Sequence, residues 1–245
     1  MSSEQYIKCP SCGSKVLIGY KICPYCGFDL RPLIRRKASA ELTFRDIIRR
    51  IEYVSIKPSS VFREIILAPE YSGPFLIVIA GALLLALRFL IVLLSAIPNI
   101  QLDLMSGLAI FLIAFISSSL MFIFIWYLLS LLLHAIIRLI GGIGSFSLTL
   151  VIVGYSLTPL ILGFFISNNL LFFVPNLTGT SLIDYLDVAL NSSPVVISSY
   201  IFTGMLLWFG YLLSLGFSYA HGINKIASTI LAFSTVGALL LIFNF

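Results

Sequence analysis

Five apolar stretches, at 75–97, 108–133, 148–173, 195–219 and 226–244, constrain this chain more than any other feature. A helix needs about 20 such residues to cross the roughly 30 Å hydrocarbon core of a bilayer, whereas a barrel strand needs about 10. Inside that core each backbone N–H and C=O must be satisfied by protein, and a helix does this within its own segment. Charged residues make up 10% of the 245 positions, well short of what a water-soluble domain carries. The expected fold is an all-α membrane protein, a bundle of five transmembrane helices.

Charge divides the chain. Twelve of the fifteen Lys and Arg residues and seven of the ten acids precede Pro74. Beyond it stand Arg88, Arg138 and Lys225, with Asp103, Asp184 and Asp187. Basic residues beside a first span are drawn to anionic lipid, each by about 1 kcal/mol. Nucleic acid is not an expected partner, because the basic positions alternate with acids and apolar residues. Arg138 and Lys225 fall in the second-to-third and fourth-to-fifth connections, and the three acids in the other two. The positive-inside rule then predicts a cytoplasmic N-terminus and an outer C-terminus in the cell membrane. The opening residues are polar and lack an apolar core, so no cleavable signal peptide is expected. The two N-glycosylation sequons start at Asn176 and Asn191, both in the predicted outer loop 174–194.

All four cysteines lie near the start, in Cys9-Pro-Ser-Cys12-Gly13 and Cys23-Pro-Tyr-Cys26-Gly27. Two intervening residues let both thiolates of a pair approach one ion, and the following glycine can take the positive φ that turns backbone N–H groups towards sulfur. Four thiolates complete a tetrahedron and leave no open position, which predicts a structural zinc held by Cys9, Cys12, Cys23 and Cys26. The gap between the pairs has room for a hairpin through 14–20. Disulfides are disfavoured in the cytoplasm. So small a head has too little apolar sequence to fold alone, so metal binding and folding are one event. Tyr20, Tyr25 and Phe28 form either a partner-binding face or the head's own core.

Three regions follow: a zinc ribbon at 1–30, a basic linker with amphipathic interfacial helices at 31–73, and the five-span region at 74–245. In the second, Thr43 and Asp46 pair as a helix cap, with Phe44, Ile47, Ile48 and Ile51 on one face and Arg45, Arg49 and Arg50 elsewhere. After Pro58, Ser59 or Ser60 caps a short helix with Phe62, Ile65 and Ile66 on its apolar side. Both helices suit the membrane interface, and equally suit packing under the bundle.

Arg88 is fourteenth in the first span, at a cost of roughly 3 kcal/mol for a central arginine. No acid lies in any span to pair with it. Counted inward from the short 98–107 connection, Ser117, Ser118 and Ser119 lie at the same depth, which predicts that Arg88 bonds to those hydroxyls. Pro159 should kink the third span. His134 and His221 are expected at the cytoplasmic interface as solvated side chains.

Three stretches carry a family resemblance. Val61-Phe-Arg-Glu-Ile-Ile-Leu-Ala-Pro-Glu-Tyr-Ser-Gly-Pro74 resembles the amphipathic lead-in of the YIP family (Ypt/Rab-interacting membrane proteins). His134-Ala-Ile-Ile-Arg-Leu-Ile-Gly-Gly-Ile-Gly-Ser-Phe146 is similar to its cytoplasmic glycine turn, and Val153-Gly-Tyr-Ser-Leu-Thr-Pro-Leu160 to its tyrosine-serine-proline signature. The likeness covers about 55–245. It implies an integral membrane scaffold, not an enzyme; eukaryotic members engage small GTPases or shape ER and Golgi membranes. A ribbon ahead of the domain resembles a prokaryotic, archaeal arrangement, and here it replaces the family's long cytoplasmic tail.

The expected function is a non-catalytic membrane adaptor in membrane organisation or trafficking. The bilayer and a cytoplasmic protein bound by the ribbon are its partners, with room for a homo-oligomer. The alternative is a small transporter or channel using Arg88 and the Pro159 kink. An intramembrane enzyme is disfavoured, since no His–Glu zinc motif, aspartate pair or serine–histidine dyad shares a depth.

Overall fold

The computed structural model describes residues 6–17, 22–30, 42–96, 103–171, 173 and 191–243. Tyr20, the linker 31–41, Asn176, Asp184 and Asp187 lie outside the described residues. In the head, β1 (Tyr6–Lys8) and β2 (Lys15–Leu17) pair antiparallel, with Lys8 opposite Lys15. The strands therefore bracket the first cysteine pair, and the hairpin expected through 14–20 falls partly on 18–21, outside the described residues. An antiparallel bridge from Ile22 to Asp29 brackets the second pair in the same way. Cys9, Val16, Cys23 and Leu30 form a small buried core.

Helix α1 (Phe44–Val54) starts at the expected cap: Asp46 N–H donates to the Thr43 hydroxyl, and the Asp46 carboxylate accepts the Thr43 N–H at 3.1 Å. The Thr43 hydroxyl, donating to the same carboxylate at 2.6 Å, and then the Thr43 N–H hold the Asp46 carboxyl below its ordinary range. Helix α2 (Pro58–Leu67) begins at Pro58, earlier than a Ser59 or Ser60 cap allows, because proline's missing N–H and fixed φ suit the first helical position. Then come α3 (Ser72–Ala96), α4 (Leu104–Leu139), α5 (Phe146–Ser156), α6 (Thr158–Leu171), α7 (Ser193–His221) and α8 (Lys225–Phe243).

Among the described residues, four segments are long and apolar enough to cross a membrane: Ser72–Leu94, Leu104–Leu139, α5 with α6 as Phe146–Leu170, and Ser193–His221. Helix α8, at 19 residues, is a shorter apolar helix packed along α7. Helix α4, at 36 residues, is longer than expected, about 54 Å at helical rise. Ser118, Trp126, Ser130, Leu133 and Ile137 are its buried residues, and the others are partly or fully exposed.

Helix α5 is the centre of the bundle. Its residues Val151–Ser156 are all buried, and a helix apolar all round must be covered on every side. It touches α1, α2, α3, α4, α6 and α7. The third span breaks at Leu157, two residues before Pro159. Proline cannot donate to the Tyr155 carbonyl, and the Thr158 hydroxyl does so instead at 2.8 Å.

Both amphipathic helices pack under the bundle. Val54, Phe62 and Ile65 are fully buried in one cluster with Ile152, Phe209 and Phe217. Phe62→Ala is expected to cost about 3–5 kcal/mol, while Leu67→Ala, at a 55% exposed site, costs under about 1. Thermal unfolding in detergent separates the two.

Candidate metal centre and buried polar clusters

The two cysteine turns are built alike. Cys9 N–H donates to Ser14 C=O and Gly13 N–H to Cys9 C=O, both at 2.9 Å; Cys23 N–H donates to Phe28 C=O at 2.8 Å and Gly27 N–H to Cys23 C=O at 2.9 Å. Gly13 and Gly27 both have φ +74°, which a side chain would resist. The two turns face each other, so the close contacts run between them: Cys9 Sγ to Cys26 Sγ is 3.6 Å, and Cys12 Sγ to Cys23 Sγ is 3.7 Å. All four Sγ atoms lie within 4.8 Å of one another. A disulfide needs about 2.05 Å, and the four thiols are free. They could bind a metal ion.

Their protons are unequally held. The Ser14 hydroxyl, then the Ser14 N–H, stabilise the Cys12 thiolate and bring its pKa to about 6. The Phe28 N–H pulls Cys26 the same way, but desolvation and hydrogen bonds to the other cysteines outweigh it and push Cys26 up to about 11. Ile22, Tyr25 and Phe28 are exposed by 56%, 71% and 41%, so Tyr25 and Phe28 are surface and not core.

A second cluster joins α1 and α2 to the bundle, and sequence reasoning missed it. Arg50 does not point to water: it is 3% exposed, and donates to the carbonyls of Ala68 at 2.9 Å and Glu64 at 3.4 Å. It thereby caps the C-terminal end of α2, where unsatisfied carbonyls attract a cation. Phe44, at the start of the apolar face shared with Ile47, Ile48 and Ile51, is 67% exposed. Beyond α2, Glu70 accepts from the Gly73 N–H at 2.8 Å and from the Tyr155 hydroxyl, tying the start of α3 to α5. An acid just ahead of a long apolar run was the available signal for that cap.

The histidines are also placed differently from expectation. His221 is 1% exposed, and its Nε2 lies 3.1 Å from Thr149 Oγ1, which lies 2.8 Å from His134 Nδ1. The Ile143 N–H donates to the His221 carbonyl at 3.1 Å, joining the turn after α4 to the end of α7. Gly144 fits against the His221 ring, where a Cβ would collide.

Arg88 does not bond to Ser117–Ser119. Its Nη1 donates to Ser167 Oγ at 2.6 Å, and Ser167 Oγ lies 2.6 Å from Ser198 Oγ. The three serines on α4 turn back on carbonyls instead: Ser117 on Ile113, Ser118 on Ala82 across the helix pair, and Ser119 on Phe115. Equal depth was the wrong criterion, because Arg88 leaves α3 on the side facing α6. Asn191 is exposed in the turn before α7.

Apolar helices of crossing length, buried polar links between them and an N-terminal four-cysteine cluster define a multi-pass integral membrane protein. The Yip1 domain family matches residues 53–245, and the chain belongs to that family. No curated protein and no solved structure matches it. Membership agrees with a membrane-associated, non-catalytic role.

Proposed function

We propose that this protein is a non-catalytic membrane scaffold whose zinc ribbon recruits a cytoplasmic protein. The cysteine geometry carries the reading. Four thiolates at about 2.3 Å from a tetrahedral zinc stand about 3.8 Å apart, close to the 3.6 and 3.7 Å separations between the two turns. With all four positions filled by sulfur, the metal is structural and holds Ile22, Tyr25 and Phe28 outward as the recruiting face. Exposed aromatic groups on a rigid support are favoured interface anchors.

The bundle crosses the cell membrane five times with α8 as the last crossing and the N-terminus cytoplasmic. The Ile143–His221 link supports this, since it brings the turns beside Arg138 and Lys225 to one side of the bundle. Asn176 and Asn191 are then the glycan acceptors of the outer side.

The test is a crosslinked pull-down from native membranes with three forms: intact, lacking residues 1–30, and Tyr25→Ser/Phe28→Ser. The expected result is a companion captured by the intact protein and lost from both variants, with zinc retained by the double substitution. Identical companions in all three forms would end this reading.

A further inference from the structure

Arg88 is the one charged side chain in the interior of the membrane-spanning helices; Arg138 sits in the last turn of α4 and Lys225 opens α8. Helices α3 to α8 contain no Asp or Glu, and among the described residues no carboxylate pairs with Arg88. Such a charge in a bilayer is kept for a partner or for a task. Its partners here are neutral hydroxyls: Ser167, 3% exposed, and through it Ser198, 6% exposed.

The cluster also has unfilled capacity. A guanidinium has five N–H donors in a planar fork, suited to two oxygens of one phosphate. One is used by Ser167. When Ser167 accepts from Arg88 and donates to Ser198, the Ser198 hydroxyl keeps a proton for a further acceptor. Asn168, 6% exposed, donates through Nδ2 to the Leu84 carbonyl at 2.7 Å, on the α3 turn preceding Arg88. Its buried Oδ1 has no hydrogen-bond partner. A buried acceptor without a donor is costly and calls for one.

Depth favours the same assignment. Ser167 lies four residues before the end of α6 and Ser198 five after the start of α7, about 6 to 8 Å from those helix ends. Arg88 itself is partly exposed. A headgroup at the bilayer boundary, or a small solute from water, can reach this level.

We propose that Arg88, Ser167 and Ser198, with Asn168 beside them, bind a phosphate group at this end of the bundle. The ligand supplies anionic oxygens to Arg88 and Ser198 and a hydrogen-bond donor to Asn168 Oδ1. A phospholipid headgroup bearing a hydroxyl has both features, and so does singly protonated inorganic phosphate. This site is independent of the ribbon.

The experiment uses the full-length protein, delipidated in detergent and titrated with phosphatidylglycerol in mixed micelles or with inorganic phosphate at matched ionic strength. Thermal unfolding and native mass spectrometry are the readouts. Phosphatidylglycerol should raise the wild-type Tm by several degrees and remain bound in the mass spectrum. Arg88→Gln should weaken retention at least tenfold, with Arg88→Lys restoring part of it. Ser198→Ala, which leaves the charge in place, should weaken it several-fold and covers the case in which Arg88→Gln fails to fold. A response to inorganic phosphate alone identifies a free solute as the ligand; a response to the lipid alone identifies the headgroup. No response to either probe, or equal retention by wild type, Arg88→Gln and Ser198→Ala, overturns the proposal.

Discussion

Cys23→Ser, or a strong chelator, is expected to unfold the described head, residues 6–17 and 22–30, and to leave the thermal transition of the bundle unchanged. Among the described residues the head's buried core is Cys9, Val16, Cys23 and Leu30, two of them proposed ligands. Without metal the remaining apolar contact cannot offset the entropy of ordering the segment, which costs about 1–2 kcal/mol per residue for the backbone alone. Structural zinc supplies about 10–16 kcal/mol at neutral pH, and only while all four thiolates are present. The bundle has its own core, which shares no residue with the head. Hydrogen exchange read by mass spectrometry should show residues 6–30 losing protection in the variant while α5 keeps it. One zinc per chain should be released on chelation. Retained protection in the head after metal removal would sink the claim.

Gly154→Ala lowers the stability of the bundle, although alanine in place of a helical glycine normally adds about 0.5–1 kcal/mol. At Gly154 a Cβ would run into the Pro74 ring, and would lie 3.1 Å from Trp126 Nε1. Neither neighbour yields easily. The proline ring is rigid, and the indole N–H is held at 2.9 Å by the Leu150 carbonyl. Overpacking of this kind costs about 1–3 kcal/mol, and Gly154→Val should cost more. Gly237, on α8, has open space around it, so Gly237→Ala is the control and should be neutral or stabilising. The sign difference between the two alanine variants, measured by thermal unfolding in one detergent, is the result to look for. Equal shifts would mean that α3 and α5 do not cross this closely.

Local chemistry was readable in the chain, and long-range pairing was not. The Thr43–Asp46 cap, the two glycine-closed cysteine turns and the break ahead of Pro159 depend on neighbours within a few residues, and the structure has each of them. Arg50, His221 and Arg88 were misplaced because their partners lie 18, 72 and 79 residues away. Amphipathic patterning assigns an arginine to water by default. It has no means of registering that α2 ends beneath α1 with carbonyls to cap. Likewise, counting residues from a loop fixes depth along a helix but leaves its rotation free, and rotation decided between Ser118 and Ser167.

The side of Gly216 that lacks a Cβ rests against Phe62 and Ile152, so α7 closes over α2. A ribosome makes these groups in the opposite order to their burial. Phe62, Val61 and Ile65 emerge first, yet their cover arrives some 150 residues later, when the segment around Gly216 has entered the bilayer. Throughout that interval the apolar face of α2 is without the cover that α7 later provides. The lead-in helices, made first, are thus locked in place only by the last part of the bundle to be made.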